Sequence, residues 1–209
     1  MWNRFAPLAA PLLLLLTAAS PEAPAPAETV RVDITTDLGV IALDLDARRA
    51  PVTTANFLKY VDQKRFDGIV FYRVMRLDWG EQPNGLIQAG TRGDPRRTLK
   101  PIAHEPTSET GILHKAGAIS MARFAPGTAT GDFSILLSDL SGLDADPNGA
   151  TDEAKAGFAA FGHVVSGMDV VRRIYDSPLS ATKGEGVMKG QMLDPEVRVI
   201  SVRRAATAP

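Results

Sequence analysis

Apolar and polar residues alternate in short runs that Gly, Pro and Asp keep interrupting, and this period of two constrains the fold more than any other feature of the chain. Successive side chains on a strand point to opposite faces, so such a run buries one face and wets the other. Val30, Val32 and Ile34 alternate with Arg31, Asp33 and Thr35. After the turn Asp37-Leu38-Gly39, the stretch Val40 to Leu45 alternates again, which predicts a hairpin. Further strands are predicted over Ile69 to Met75, Gly117 to Met121, Phe133 to Leu137, Phe158 to Val165 and Val197 to Val202. Helical spacing is confined to two places. Pro51 suits a first helical position, and Val52, Ala55, Leu58 and Val61 give an apolar stripe to Gln63. Ser166 and Asp169 form a capping-box-like pair ahead of Val170, Val171 and Ile174. Arg76 to Lys115, with an apolar island at Leu86-Ile87, and Ser141 to Gly157 are expected to be loops. Many short strands and two helices predict one mainly β domain, a closed barrel or a sandwich.

The N-terminus carries a different signal. Arg4 precedes the apolar stretch Phe5 to Ala19, centred on Leu12 to Leu16. This is shorter than the ~20 residues that span a bilayer, and it reads as a secretory leader cut after Ala27; an uncleaved anchor is the alternative. The expected organisation is a leader and Pro/Ala-rich spacer over 1–27, a folded domain over 28–205 and a disordered tail over 206–209. The protein is then exported and periplasmic, with no membrane insertion once the leader is gone. A formal net charge of −1 leaves no nucleic-acid footprint. The absence of Cys excludes disulfides, thiolate nucleophiles and a lipidated cysteine. Hydrolase signatures are missing too. There is no Gly-x-Ser-x-Gly elbow, His104, His114 and His163 lack metal-ligand spacing, and His104-Glu105 lacks a second His. The basic residues Arg92, Arg96, Arg97 and Lys100 and the acidic residues Asp144, Asp146, Asp152 and Glu153 read as solvated loops.

Six stretches in fixed order carry more information. They are Gly39-Val40-Ile41-Ala42-Leu43, Ala50-Pro51-Val52-Thr53-Thr54-Ala55-Asn56-Phe57, Phe71-Tyr72-Arg73-Val74, Ile87-Gln88-Ala89-Gly90, Gly117-Ala118-Ile119-Ser120-Met121-Ala122 and Ala160-Phe161-Gly162-His163-Val164-Val165-Ser166-Gly167-Met168-Asp169-Val170. From about Val30 to Arg203 the chain resembles the cyclophilin family of peptidyl-prolyl cis–trans isomerases. The resemblance implies a closed eight-stranded antiparallel β-barrel capped by two short α-helices, acting as a monomer on proline-containing polypeptides without metal or cofactor.

It also implies roles for particular residues. Arg73 falls at the family's catalytic Arg and Gln88 at the Gln that holds substrate backbone. Leu86, Met121, Ala122, Asp132, Phe133, Leu143 and Phe158 fall at or beside substrate-pocket positions, Ala122 where the peptide preceding the proline is contacted. Without the resemblance these residues say less. An Arg on a strand is ordinarily a solvated charge, and Met121 and Phe133 suit the core of any barrel.

The chain also departs from the family. Gly85, Ser134 and Gly142 stand where aromatic residues are usual, and Asp132 stands for a Gln. Extra residues including Asp78, Trp79, Gly80 and Glu81 separate Arg73 from Gln88, and Trp79 is expected to fold back over the missing aromatic. Two functions follow. One is an isomerase assisting the folding of exported proteins; the other is a catalytically weak module that binds extended proline-containing segments on the same barrel.

Overall fold

The computed structural model describes residues 1–2 and 29–205. The expected leader from residue 3 onward and the tail over 206–209 lie outside the described residues. Eight antiparallel strands close on themselves: β1 (Thr29–Thr36), β2 (Gly39–Asp46), β3 (Val70–Arg76), β4 (Gly85–Gly90), β5 (Ala118–Met121), β6 (Phe133–Leu136), β7 (Ala159–Ser166) and β8 (Met192–Arg204). Their order around the barrel is β1-β2-β7-β5-β6-β4-β3-β8.

The first hairpin forms as its alternation predicts. Thr36 faces Gly39 across the turn, and the Thr36 hydroxyl both accepts from the Leu38 amide (3.1 Å) and donates to the Gly39 carbonyl (2.8 Å). Val32, Ile34, Ile41, Leu43 and Leu45 are fully buried inside the barrel. At the seam between the first and last strands β1 pairs with β8, and Arg203 holds the Asp67 carboxylate through both terminal nitrogens (2.6 and 2.7 Å).

Helix α1 (Pro51–Asp62) starts on Pro51 and buries Leu58 and Val61 of the predicted stripe, but the rest of its buried face is rotated from it. Val52 and Ala55 point to water, while Thr53, Thr54, Asn56, Phe57 and Tyr60 turn inward. Two rings outweigh two small aliphatic groups in buried area. The inward polar side chains find partners: Thr54 on the Asp46 carbonyl, Asn56 on that of Thr130, and Thr53 on the Glu105 carboxylate. Glu105 also accepts the Val52 and Thr53 amides (3.0 and 2.7 Å), so a residue 52 positions away caps a helix whose own N-cap, Ala50, has no side chain to do so.

Two short helices follow, α2 (Thr107–Thr110) and α3 (Asp152–Ala156), and then α4 (Met168–Asp176). Helix α4 buries Val170, Val171 and Ile174 as expected. The capping box does not form. Ser166 is the last residue of β7, Gly167 is the N-cap at φ +89°, and Asp169 pairs instead with Arg173 one turn on (2.8 Å).

Inside the barrel six rings meet. Phe57 lies 4.9 to 5.4 Å, centroid to centroid, from Phe66, Phe133 and Phe161; Tyr60 stacks on Phe66, and Phe71 meets Phe133 edge-on at 6.2 Å. The largest departure from the sequence reading is β4. It occupies part of the expected loop Arg76 to Lys115, and all six of its residues are buried. Ile87 and Ala89 face the core, whereas Leu86 joins a second apolar cluster with Ala118, Leu136 and Leu140 on the other side of the sheet.

Candidate active site

A bulge in β3 creates the site. Phe71 pairs with Ala89 and Arg73 with Gln88, so Tyr72 is an extra residue against β4. Phe71 and Val74 are fully buried in the core. In an unbroken strand Arg73 would share the inward face of Phe71; the inserted residue turns it outward. Arg73 then heads a row across the outer face of four strands: Arg73 opposite Gln88, Gln88 opposite Ser134, and Ser134 opposite Ser120.

The guanidinium of Arg73 is fixed at two points. Its Nη1 donates to Gln88 Oε1 (2.9 Å) and its Nε to Gln191 Oε1 (2.9 Å). Gln191 is brought there because the Val74 amide donates to its carbonyl (2.8 Å), and its own side-chain NH2 is fastened to the Val187 carbonyl (2.9 Å). Burial pushes the Arg73 pKa down from its ordinary value. An arginine remains charged regardless, so burial acts mainly by strengthening its directed N–H donors through a lower local dielectric. Gln191 was not visible in the sequence. It is a single Gln in a loop 118 positions from Arg73. Replacing Gln191 with Ala is expected to lower kcat about tenfold, the size of one lost hydrogen bond to a charged group, with little change in KM. Steady-state kinetics on an Ala-Pro peptide checks the split, and an altered Arg73 Nε–H resonance identifies the cause.

Beside Arg73 lies an apolar floor. Leu86, Leu136 and Leu140 are buried there, with Met75, Leu77 and Leu143 packed against them. Phe158 adjoins Leu143 through its amide, which donates to the Leu143 carbonyl (2.8 Å). The Arg123 guanidinium covers the Phe158 ring at 4.5 Å, pairs with Glu153 (2.8 Å) and donates to the carbonyls of Phe124 and Gly157. Ala122 is half-buried at the far end of the floor, its amide on the Asp132 carbonyl (2.9 Å). The segment carrying Leu143 is anchored from below. His114 lies between Asp144, 2.7 Å from Nδ1, and the Ser120 hydroxyl, 2.8 Å from Nε2, and its carbonyl accepts the Leu140 amide. Burial pulls the His114 pKa down, opposed by Asp144. Ser120 is 3% exposed, so this Ser–His–Asp chain braces a pocket wall and offers no accessible nucleophile.

Four of the residues named from sequence have surroundings other than those expected of them. Phe133 and Met121 lie inside the barrel, 0% and 2% exposed, because their positions share the inward face of β6 and β5 with Ile135 and Ile119. They belong to the barrel core and present no surface to a substrate. Asp132 directs its carboxylate to the Tyr72 hydroxyl (3.3 Å) and the Arg92 amide (3.0 Å), and burial pushes its pKa up. Trp79 does not fold back over the floor; it is 61% exposed.

The missing aromatics differ in kind. Gly85 has φ +141°, and a Cβ there would lie 1.9 Å from the Met75 carbonyl oxygen, so this backbone excludes any side chain. A Cβ on Gly142 meets nothing within 4 Å.

A family model for cyclophilin-type peptidyl-prolyl cis-trans isomerase matches residues 31–203. The chain belongs to this family. A peptidyl-prolyl cis-trans isomerase of Acinetobacter baylyi is 36% identical over 176 residues, covering 82% of this chain and 84% of the relative. Peptidyl-prolyl cis-trans isomerase A of Dickeya dadantii is 36% identical over 166 residues, 78% and 79% of the two chains. A crystal structure of a Cryptosporidium parvum cyclophilin-type isomerase superposes with a TM-score of 0.67 over 86% of this chain and 99% of that one; at 17% identity the likeness concerns the fold. The isomerase barrel read from the six sequence stretches is thus the one the strands form.

Proposed function

We propose that this peptidyl-prolyl isomerase acts as a monomer on X–Pro bonds of exported polypeptides, with Arg73 as the group that stabilises the rotated bond. The X–Pro amide resists rotation because resonance gives its C–N bond double-bond character, with a barrier of about 18–20 kcal/mol. In the twisted state the resonance is lost and the lone pair returns to the proline nitrogen. Catalysis requires tighter binding of that state than of either planar form. A fixed cationic donor aimed at the nitrogen meets the requirement, and it needs no reorganisation as the bond turns.

The observation that carries this reading is the half-buried guanidinium of Arg73, clamped by Gln88 and Gln191 beside an apolar floor. Both clamps use Nε and Nη1, which leaves Nη2 for the substrate. Gln88 spends its carbonyl on Arg73 and keeps its NH2 to hold a substrate carbonyl. Leu86, Leu143 and Phe158 offer the proline ring an apolar seat. The structurally similar Cryptosporidium protein was also crystallised in the presence of the dipeptide Ala-Pro. The exported location follows from Arg4 and the run Leu12 to Leu16. The test is cis–trans exchange in an Ala-Pro peptide with and without the protein, together with the location of the processed chain in cell fractions. Unaccelerated exchange overturns the activity, and full-length chain in the cytosol overturns the export.

The binding-module reading has one observation in its favour, the open space above Gly142. The same space gives a prediction. Gly142→Trp is expected to lower KM about tenfold, since burying an aromatic ring contributes on the order of 1.5–3 kcal/mol and each 1.4 kcal/mol is tenfold. Saturation kinetics checks it, and an unchanged KM means that substrate does not reach that wall.

A further inference from the structure

The connection between β3 and β4 is cross-braced. The Leu77 amide donates to the Asn84 carbonyl (2.9 Å), and the Gln82 side chain donates to the carbonyls of Leu77 and Trp79 (3.0 and 3.2 Å). Asn84, 3% exposed, donates to the Trp79 carbonyl (2.6 Å) and accepts from the Ser138 hydroxyl (2.5 Å), while Tyr175 donates to the Asn84 carbonyl (2.9 Å). A loop fastened this way nevertheless holds an indole ring 61% exposed. Large aromatic surface kept in water on a rigid support is characteristic of a contact residue. Trp79 forms one wall of a cleft of about 390 Å³, with Gly80, Glu81, Asn84, Ser138 and Asp139 around the rest.

The cleft lies past the end of β6, the strand that carries Ser134 on the Arg73 row. Along β6 the chain runs from Asp132, beside Ala122, through Ser134 on the Arg73 row, to Ser138 just past the strand's end. Ser134 to Ser138 is roughly 13 Å at ~3.3 Å per residue, the length of three or four residues of an extended peptide. The Ala122 end receives the residues before the proline by resemblance to the family, so the Trp79 end faces those after it. The surroundings are acidic. Asp78 and Glu81 are exposed, and the Asp139 pair with Lys115 (2.9 Å) is between groups more than half exposed, which neutralises it only loosely.

We propose that this cleft is a specificity subsite for a Lys or Arg side chain three or four residues after the substrate proline, its cation over the Trp79 ring and against Glu81. The proposal rests on the groove assigned under the proposed function. The experiment measures exchange rates of Ala-Pro peptides carrying Lys, Ala or Glu at the third and fourth positions after proline, with the full chain. A Lys-over-Glu preference in kcat/KM of about tenfold is expected, falling to near unity in Trp79→Ala and Glu81→Gln, with the Ala peptide turned over unchanged by both variants. Acceleration of all three peptides without preference, or a preference that survives Trp79→Ala, overturns the subsite and leaves the isomerase standing. Acceleration of none strikes the groove itself, and the subsite falls with it. An exposed Trp79 makes its replacement harmless to folding, and unchanged turnover of the Ala peptide verifies this.

Discussion

Arg73→Ala is expected to reduce kcat/KM for an Ala-Pro peptide by about a hundred- to a thousandfold, the loss that follows removal of one preorganised donor from a developing charge. The loss falls on kcat more than on KM, because the proline nitrogen accepts a hydrogen bond only when its lone pair is released. Arg73→Lys recovers little of it. An ammonium supplies charge but not the planar fork that fits both Gln88 and Gln191. Exchange spectroscopy across the cis and trans proline signals gives the rates, and an unaltered unfolding midpoint shows that the barrel is intact. Wild-type rates in the Ala variant assign the catalysis to another group.

The second large effect concerns the core. Phe57→Ala is expected to lower stability by about 3–5 kcal/mol, the range for removing a buried aromatic side chain. Phe57 touches Phe66, Phe133 and Phe161 and joins α1 to the barrel interior. With a urea slope of about 2 kcal/mol/M the midpoint shifts down by roughly 2 M. A shift under about 0.5 M would mean that neighbouring side chains close the space the ring leaves. Phe133→Ala belongs to the same class, so its effect on activity should track loss of folded protein rather than loss of substrate contact.

How much of this was legible in the sequence depends on how local the cause is. The first hairpin and the start of α1 follow from alternation and from Pro51, and each is settled by residues within a few positions of one another. Strand β4 was not readable because it is buried on both faces. Its neighbours on the outer side come from the segment around Leu140 and Leu143, far along the chain, so Leu86-Ile87 gives no alternation to detect. Arg73 and Gln88 could be named because they stand in recognisable stretches. Their juxtaposition depends on the bulge at Tyr72, which leaves no mark in composition. Gln191 and the Glu105 cap are contacts across 118 and 52 positions, and only the closed fold brings them together. Met121 and Phe133 show the converse error. Proximity to the pocket in sequence says nothing about which side of a strand a residue occupies, and parity put both on the inside.

Because the strands form a complete ring, no strand among the described residues lies with a free row of amides and carbonyls along its side. A client segment therefore cannot be annealed onto the sheet as one more strand, the mode that gives many peptide binders their grip. What holds a client is a handful of side chains and loop edges around one imide. Such a hold is short-lived, and a visiting chain can leave with its bond turned instead of becoming a resident of the fold.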